Sequence, residues 1–188
     1  SSLGIYNWTI PDSSSQNARI KIVDYTDNNY YDISDNTFTI AQMKLLSPVG
    51  GEQYQIDNYR TIQWFTKNIG NVRIELSTDN GINWQSITTV STINGINSYS
   101  WRVENKPSNL CKIRIRDINY PEIKDSSANS FRISNVQLLS PNGNERLQEG
   151  RIYKIQYSTS TNVNNIILEY TTNNGNNWNI ITSSAPAS

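Results

Sequence analysis

The sequence contains no histidine and only one cysteine, Cys111, among its 188 residues. Histidine is the commonest general base and the commonest metal ligand of proteins, so its absence argues against most acid–base catalysis and most zinc sites. A single cysteine cannot form a disulfide within the chain, and we expect it to be a small buried hydrophobe. We therefore predict no catalytic residue, no metal and no cofactor, and the chain is predicted not to be an enzyme.

An excess of charge of one sign and long apolar runs are also missing. Sixteen basic residues balance sixteen acidic residues, so the chain has no net field that would attract nucleic acid. No apolar run approaches the roughly 20 residues that span a bilayer, and a membrane span is not expected. Only 17% of the residues are charged. The polar residues are instead mostly Asn, Ser, Thr and Tyr, which favours an extracellular or cell-surface location.

The sequence does contain a repeat of 93 to 94 residues. The stretch "KLLSPVGGE" at residues 44–52 matches "QLLSPNGNE" at residues 137–145 with an offset of 93. The stretch "NVRIELSTDNGINW" matches "NIILEYTTNNGNNW" with an offset of 94 after one inserted residue. Upstream, the 35 residues from Tyr6 match those from Tyr99 with an offset of 93 and no gap.

The two ends of the chain each carry only half of this repeat. The predicted divisions are the second half of a repeat at residues 1–40, a complete repeat at 41–133, and the first half of another at 134–188. If a second copy followed directly, Trp178 would precede the next Trp8 by 18 positions, close to the spacing of 17 in the complete repeat. We therefore expect the two end segments to complement each other.

Each repeat has the pattern of an all-β domain. About seven short runs alternate apolar and polar residues, are separated by Gly, Pro, Asn or Asp, and show no helical period. This pattern predicts tandem immunoglobulin-like β-sandwiches. Period-2 burial makes four aromatic residues the predicted core anchors, in preference to a ligand platform: Trp8, Trp64, Trp101 and Tyr157. Two Asn-Gly pairs are predicted to form tight type I′ hairpin turns: Asn80-Gly81 and Asn174-Gly175.

The loop before the last strand of each repeat is the only region whose residues indicate a ligand. Carboxylates there, including Asp24 and Asp32 with their counterparts Asp117 and Asp125, could bind Ca²⁺, but their spacing matches no known calcium loop and solvated turn residues are preferred. Three tyrosines of these loops are the best candidates for a surface that stacks on sugars: Tyr30, Tyr31 and Tyr120. The alternative for these tyrosines is packing against the neighbouring domain.

The motifs "LLSPxGxE", "IxW", "VxIELSTDNGxxW", "YSWxV", "CKIRIxD" and "SFxI" together resemble a known pattern. They are similar to the tandem Ig-like repeats of large secreted and surface proteins of Bacteroidetes and Ignavibacteria, and to the Kre/Knh-like Ig-like domain. The resemblance covers the whole chain and implies the Ig-like fold. It implies no catalytic residue, since such repeats serve as stalks, spacers, adhesive fibres and accessory modules.

The short joints between repeats indicate a stiff array. "TFTIAQMKLLSP" and "SFRISNVQLLSP" run from the last strand of one repeat into the next with no Gly/Ser-rich spacer. The prediction is an extracellular structural protein that forms or supports a filament, stalk or adhesin. Its partners would be adjacent repeats or copies of itself, joined head to tail, which complete the half-domains. The alternative is a carbohydrate-binding or accessory module of an exported enzyme, with surface glycans as partners.

Overall fold

The computed structural model describes residues 3–187, and this part of the chain is all-β, with no helix. Residues 3–40, here called the tail segment, contain four strands: β1 (Ser15–Ala18), β2 (Lys21–Val23), β3 (Tyr31–Ile33) and β4 (Phe38–Ile40). Residues 134–187, here called the head segment, contain β14 (Val136–Ser140, which follows directly on the unit before it), β15 (Gln156–Thr159), β16 (Asn165–Tyr170) and β17 (Asn179–Pro186).

Residues 41–133, here called the central unit, contain the remaining strands. They are β5 (Gln42–Ser47), β6 (Gln53–Gln55), β7 (Tyr59–Lys67), β8 (Asn71–Ser77), β9 (Gln85–Ser91), β10 (Gly95–Arg102), β11 (Ser108–Asp117), β12 (Lys124–Ser126) and β13 (Phe131–Ser134). One sheet has the order β10-β7-β5, and the other has the order β6-β13-β11-β8-β9, with β12 also paired to β11. Only β13 and β6 pair in parallel, and the arrangement is consistent with a β-sandwich.

Alternating side chains of these two sheets form the core of the central unit. Along β11, every second residue from Cys111 to Asp117 is buried, which is the period-2 pattern of a strand with one face on a core. Two rings pack edge to face at the centre, since the centroids of Trp101 and Phe131 are 6.4 Å apart at 78°. Trp64 is buried from the facing sheet.

The tail segment repeats the strand pairing of β11, β12 and β13. Ser15 pairs with Ile40 as Ser108 pairs with Ile133, and the same register shift follows in both places. The pairing of β2 with β3 equals that of β11 with β12, residue for residue, at the offset of 93. Between residues 3 and 14, where the counterpart of β10 lies, the structure has no strand.

The head segment repeats the pairing of β5 with β7 and of β8 with β9. Val136 pairs with Thr159 as Met43 pairs with Thr66, with the same later shift. Glu169 pairs with Ile180 as Glu75 does with Ser86 at the offset of 94. Residues 146–148, the counterpart of β6, form no strand.

Both joints between segments carry the same side-chain hydrogen bond. The Asn68 amide Nδ2 donates to the carbonyl oxygen of Ile40 at 3.1 Å. The Asn162 amide Nδ2 donates to the carbonyl oxygen of Ile133 at 2.9 Å. Arg132 adds a bond from Nη2 to the Asn162 carbonyl oxygen at 2.9 Å. Each joint is therefore fixed by contacts in addition to the continuous backbone.

The Asn-Gly loops differ from the predicted two-residue turns. The loop between β8 and β9 covers residues 78–84, although its central residues have the expected positive φ angles, 61° at Asn80 and 92° at Gly81. Side chains extend the loop, because Gly81 N donates to Ser77 Oγ at 2.8 Å and Trp84 Nε1 donates to the Gly81 carbonyl oxygen at 2.8 Å. Asn174 and Gly175 have φ angles of 56° and 88° in the matching loop.

Candidate functional site

The clearest unusual surface of the molecule is apolar and lies on the tail and head segments. In the tail segment, Ile20 is 47% exposed and Ile22 is 67% exposed, whereas their counterparts Ile113 and Ile115 are both 0% exposed. The head segment shows the same contrast, because Leu138 is 45% exposed and its counterpart Leu45 is 4% exposed. Exposed apolar side chains whose counterparts are buried are candidates for contact with another surface.

The four predicted core anchors are buried in the central unit and more exposed in the tail and head segments. Trp64 and Trp101 in the central unit are 1% and 2% exposed. Trp8, the counterpart of Trp101, is 45% exposed. Tyr157, the counterpart of Trp64, is partly buried. Trp101 packs against both Phe131 and Tyr54, whereas Trp8 packs edge to face on Phe38 of its own segment, with centroids 6.3 Å apart at 79°. In the head segment the Tyr157 hydroxyl donates to the carbonyl oxygen of Pro186 at 2.9 Å.

Unpaired strand edges accompany these apolar faces. In the central unit β7 pairs with both β5 and β10, and β8 pairs with both β9 and β11. Within residues 3–187, β15 pairs only with β14 and β16 pairs only with β17. An open edge presents unpaired backbone N–H and C=O groups, which makes it a template for another strand. The counterparts of β10 and β11, which are the second neighbours of β7 and β8, belong to the sequence of the tail segment, where the counterpart of β11 forms β1 and β2 and that of β10 forms no strand.

The loops of the central unit show how its two halves meet. Asn80 N donates to the carbonyl oxygen of Leu110 at 2.8 Å, and Ser130 Oγ donates to Asn80 Oδ1 at 3.0 Å. The loop after β5 also meets the second half of the unit: a Cβ built on Gly50, whose φ is +123°, would lie 2.5 Å from the Cβ of Asn129. At its counterpart Gly143, with φ +122°, nothing lies within 4 Å. The head segment therefore has an empty place where the second half of a repeat would fit.

The glutamate of the SPxGxE motif stabilises that loop. Glu52 accepts hydrogen bonds from Val49 N and Gly50 N, both at 2.8 Å. Glu145 accepts the same pair from Asn142 N and Gly143 N at 2.8 and 2.7 Å. These backbone N–H donors lower the pKa of Glu145, the bond from Asn142 first. The loop is thus already formed in the head segment.

A buried ionic cluster that the sequence patterns did not reveal joins the two halves of the central unit. Glu75 on β8 is 4% exposed, and its Oε2 lies 2.8 Å from Arg114 Nη2 and 3.1 Å from Arg116 Nε on β11. The guanidinium of Arg114 also stacks over the ring of Trp84, 4.3 Å from the centroid. The signal that could have revealed it is a Glu inside the apolar "RIELS" run facing the alternating arginines of "KIRIRD".

Comparison with protein families, with characterised proteins and with solved structures finds no match. The Ig-like family and the tandem arrangement therefore stay predictions.

The carboxylates of the acidic loops hold local turns. Asp117 Oδ1 accepts bonds from Asn119 N at 2.8 Å and Tyr120 N at 3.2 Å. In the tail segment the pKa of Asp24 is lowered, first by the hydroxyl of Thr26 and then by the backbone N–H groups of Thr26 and Asp27. Asp125 Oδ2 accepts from Leu45 N at 2.7 Å, a bond between the halves of the central unit. No group of three metal-ligating side chains occurs in the part of the chain that the structure describes.

The three candidate tyrosines are exposed but do not form one surface. Tyr30 and Tyr31, 71% and 58% exposed, line an open groove with Ile22 and Val23. Tyr120, 60% exposed, lies in a different groove, between the central unit and the tail segment. The counterpart of Tyr30 is Ile123, which packs against the core of the central unit.

Cys111 is buried, and desolvation raises the pKa of its thiol to about 11, so it remains protonated and unreactive at neutral pH. A search of residues 3–187 for a helix long and apolar enough to cross a bilayer finds none.

Proposed function

We propose that this chain is an extracellular structural protein, a stiff array of Ig-like sandwiches that forms or supports a filament, stalk or adhesin. The observation that carries the proposal is the paired exposure of the two end segments. Side chains that the central unit buries completely, such as Ile113 and Ile115, have counterparts in the tail segment that face solvent. The half-sandwiches are completed by neighbouring repeats or by neighbouring subunits, head to tail.

The joints support a stiff rod in preference to beads on a flexible string. Successive segments share no Gly/Ser-rich linker, and both joints have an asparagine that hydrogen-bonds the last strand of the preceding unit. A head-to-tail contact does not close on itself unless its rotation closes a ring, so repetition of one joint generates a filament. The location outside the cell rests on the low charge and the Asn/Ser/Thr/Tyr-rich composition.

The experiment is to isolate the protein from its native source, measure its denatured intact mass, and image it by negative-stain electron microscopy. We expect rods or filaments. A mass near 21.4 kDa would mean completion between subunits, and a mass several times larger would mean completion within a long polypeptide. Compact, non-elongated particles would contradict the proposal.

The second candidate function is a carbohydrate-binding or accessory module, favoured by the exposure of Tyr30, Tyr31 and Tyr120. Aromatic rings that face solvent can stack on sugars. This function predicts glycan affinity that Tyr30→Ala or Tyr120→Ala abolishes. Absence of binding across a broad glycan panel would remove it.

A further inference from the structure

The tail and head segments each have half of a junction for which the central unit supplies a complete template. Resting on the proposed function, we infer that a second copy of this chain is the partner: the tail segment of one copy completes the head segment of the next. The joint uses the strand register of the central unit, and Lys21 is paired with Glu169 and Trp178 across it.

The pairing of β11 with β8 in the central unit defines a strand register for the joint. In the central unit Lys112 pairs with Ser77 and Asp117 with Val72, six consecutive pairs without a shift. Moved by the repeat offsets, this register places Lys21 opposite Glu169, Ile22 opposite Leu168 and Val23 opposite Ile167. Both contributing strands already exist, as β2 and β16, and each has the neighbour that its counterpart has on the other side.

The charged residues at this register are also complementary. The counterparts of Lys21, Glu169 and Trp178 are Arg114, Glu75 and Trp84, which form the buried ionic cluster of the central unit. The tail segment thus brings a cation and the head segment a carboxylate and an indole ring to one point. Within residues 3–187 Glu169 forms no ion pair, and Lys21 lies over the ring of Tyr31, with Nζ 4.2 Å from the centroid. Opposite charges in directly paired strands stabilise the correct register.

The pairing of β10 with β7 defines a second strand contact at the joint, in the other sheet. In the other sheet β10 pairs with β7, Trp101 opposite Arg60 and Tyr99 opposite Ile62. The same register sets Trp8 opposite Tyr153 and Tyr6 opposite Ile155. Tyr6 and Trp8 are 89% and 45% exposed and lie in a stretch that forms no strand, and Tyr153 and Ile155 lie directly before β15.

The loops of the two segments also have matching contacts in the central unit. Leu45 N donates to Asp125 across the two halves of the central unit, and the corresponding pair would be Leu138 N with Asp32. Asn129 fills the space over Gly50, and its counterpart Asn36 would fill the empty space over Gly143. In the head segment, Glu145 accepts the same two hydrogen bonds as Glu52, and Asn174 and Gly175 have the positive φ angles of their counterparts.

The first test uses charge reversal in the intact chain, with size measured by analytical ultracentrifugation over a concentration series. Lys21→Glu and Glu169→Lys should each weaken assembly about tenfold or more, because each sets like charges opposite each other in paired strands. An equimolar mixture of the two variants should assemble again, since every alternating joint then has one acid and one base. Lys67→Glu, an exposed substitution in the central unit with the same charge change, is the control and should assemble normally.

The second test is a cross-link that reports register. One variant carries Val23→Cys and a second carries Ile167→Cys, so only intermolecular disulfides join them. Directly opposite residues of paired strands have Cα atoms about 4.5 to 5.5 Å apart, within disulfide range. The off-register pair Arg19→Cys with Ile167→Cys lies four residues away, roughly 13 Å along the strand, and should not cross-link.

The outcomes separate this inference from the proposed function. In-register cross-linking with recovery in the mixed sample is the expected result. Assembly without the Val23–Ile167 disulfide, or without recovery in the mixture, would overturn the register and the role of Lys21 but leave an array function standing. A chain that stays monomeric at high concentration would overturn completion by a second copy. The same conclusion would follow if a chain that carries both Val23→Cys and Ile167→Cys cross-linked within itself. The native mass and micrographs would then decide the array function independently.

Discussion

Trp8 and Trp101 occupy matching positions and have opposite environments, which makes them a matched pair for mutation. Trp101 is 2% exposed and packs against Phe131 and Tyr54, with centroids 6.4 and 6.2 Å away. Trp101→Ala should therefore lower the free energy of unfolding by about 3–5 kcal/mol. Trp8→Ala should leave the main urea unfolding transition near its original midpoint and weaken assembly. Equal losses of stability in the two variants would contradict this account.

Because of Asp79, we expect the loop at residues 78–84 to be more sensitive to acid than its counterpart in the head segment. The pKa of Asp79 is lowered to about 2 by the backbone N–H of Asn83, the hydroxyl of Ser77 and the side chain of Asn83, in that order. A lowered carboxyl pKa contributes stability above the unfolded value of 3.8 that is lost as pH falls towards 2. At the matching position Asn173 accepts the hydrogen bond from Asn177 N at 3.0 Å without titrating.

The measurement is the amide chemical shift of Asn83 and Asn177 by NMR between pH 5 and 2. We expect the Asn83 resonance to shift with a midpoint near pH 2 and the Asn177 resonance to stay constant. Asp79→Asn should remove the difference. Parallel shifts at both positions would show that the loop carboxylate is not the cause.

Gly50 and Gly143 form a second matched pair. Both have φ near +122°, so an alanine is strained at either position. Only Gly50 also faces the Asn129 main chain, with atoms 2.6 Å from the added Cβ. Gly50→Ala should therefore destabilise the chain by at least about 1 kcal/mol more than Gly143→Ala in thermal unfolding, from overpacking. Gly143→Ala should reduce assembly, because the place of Asn36 is then obstructed.

At the scale of elements, β8 and β16 differ in the number of strands they pair with. β8 lies between β9 and β11, whereas β16 pairs with β17 alone in the described chain. Backbone hydrogen bonds that lack burial and neighbouring strands open more readily. Hydrogen–deuterium exchange should therefore be faster in residues 165–170 than in residues 71–77 of the dilute chain. At assembling concentrations the protection of residues 165–170 should rise, whereas unchanged exchange there would argue against completion.

The elements also show how much of the structure could be predicted from the sequence. Alternation and turn residues predicted about seven strands in the repeat, whereas the central unit has nine, because the three-residue strands β6 and β12 were not predicted. The offset of 93 anticipated the shared register of β1 with β4 and β11 with β13. The same periodicity marked Trp8 and Trp101 alike as core residues. It could not distinguish them, because burial depends on the facing sheet, which is non-local, and the strands of the tail segment have no such sheet.

The junction itself was visible only in part from the sequence. Complementary halves followed from the repeat, but the Glu75 cluster did not, because an isolated glutamate in a strand normally faces solvent. The loop at residues 78–84 was predicted as a two-residue turn because Asn-Gly alone indicates one. The side chains of Ser77 and Asp79, which extend the loop, act through hydrogen bonds that spacing does not reveal.

At the scale of the whole molecule, the central unit has a buried core, whereas the tail and head segments on either side of it expose counterparts of several of those core residues. Of the exposed large hydrophobic residues in the described chain, 23 lie in the tail and head segments and eight lie in the central unit, which alone has an extended buried core. In the proposed array, completion of both segments by neighbours would cover the counterparts of the core residues and would give β15 and β16 the second neighbouring strand that β7 and β8 have. An array of this kind grows by repeating one joint.

The most direct test of this central claim is the folding of one reconstituted unit. A single polypeptide in which residues 134–188 run directly into residues 1–40 contains both halves and no central unit. Completion predicts one cooperative urea transition, blue-shifted fluorescence of Trp8 and Trp178, and a dispersed amide NMR spectrum. A non-cooperative transition with exposed tryptophans, under conditions where residues 41–133 alone fold, would show that the two segments do not complete each other.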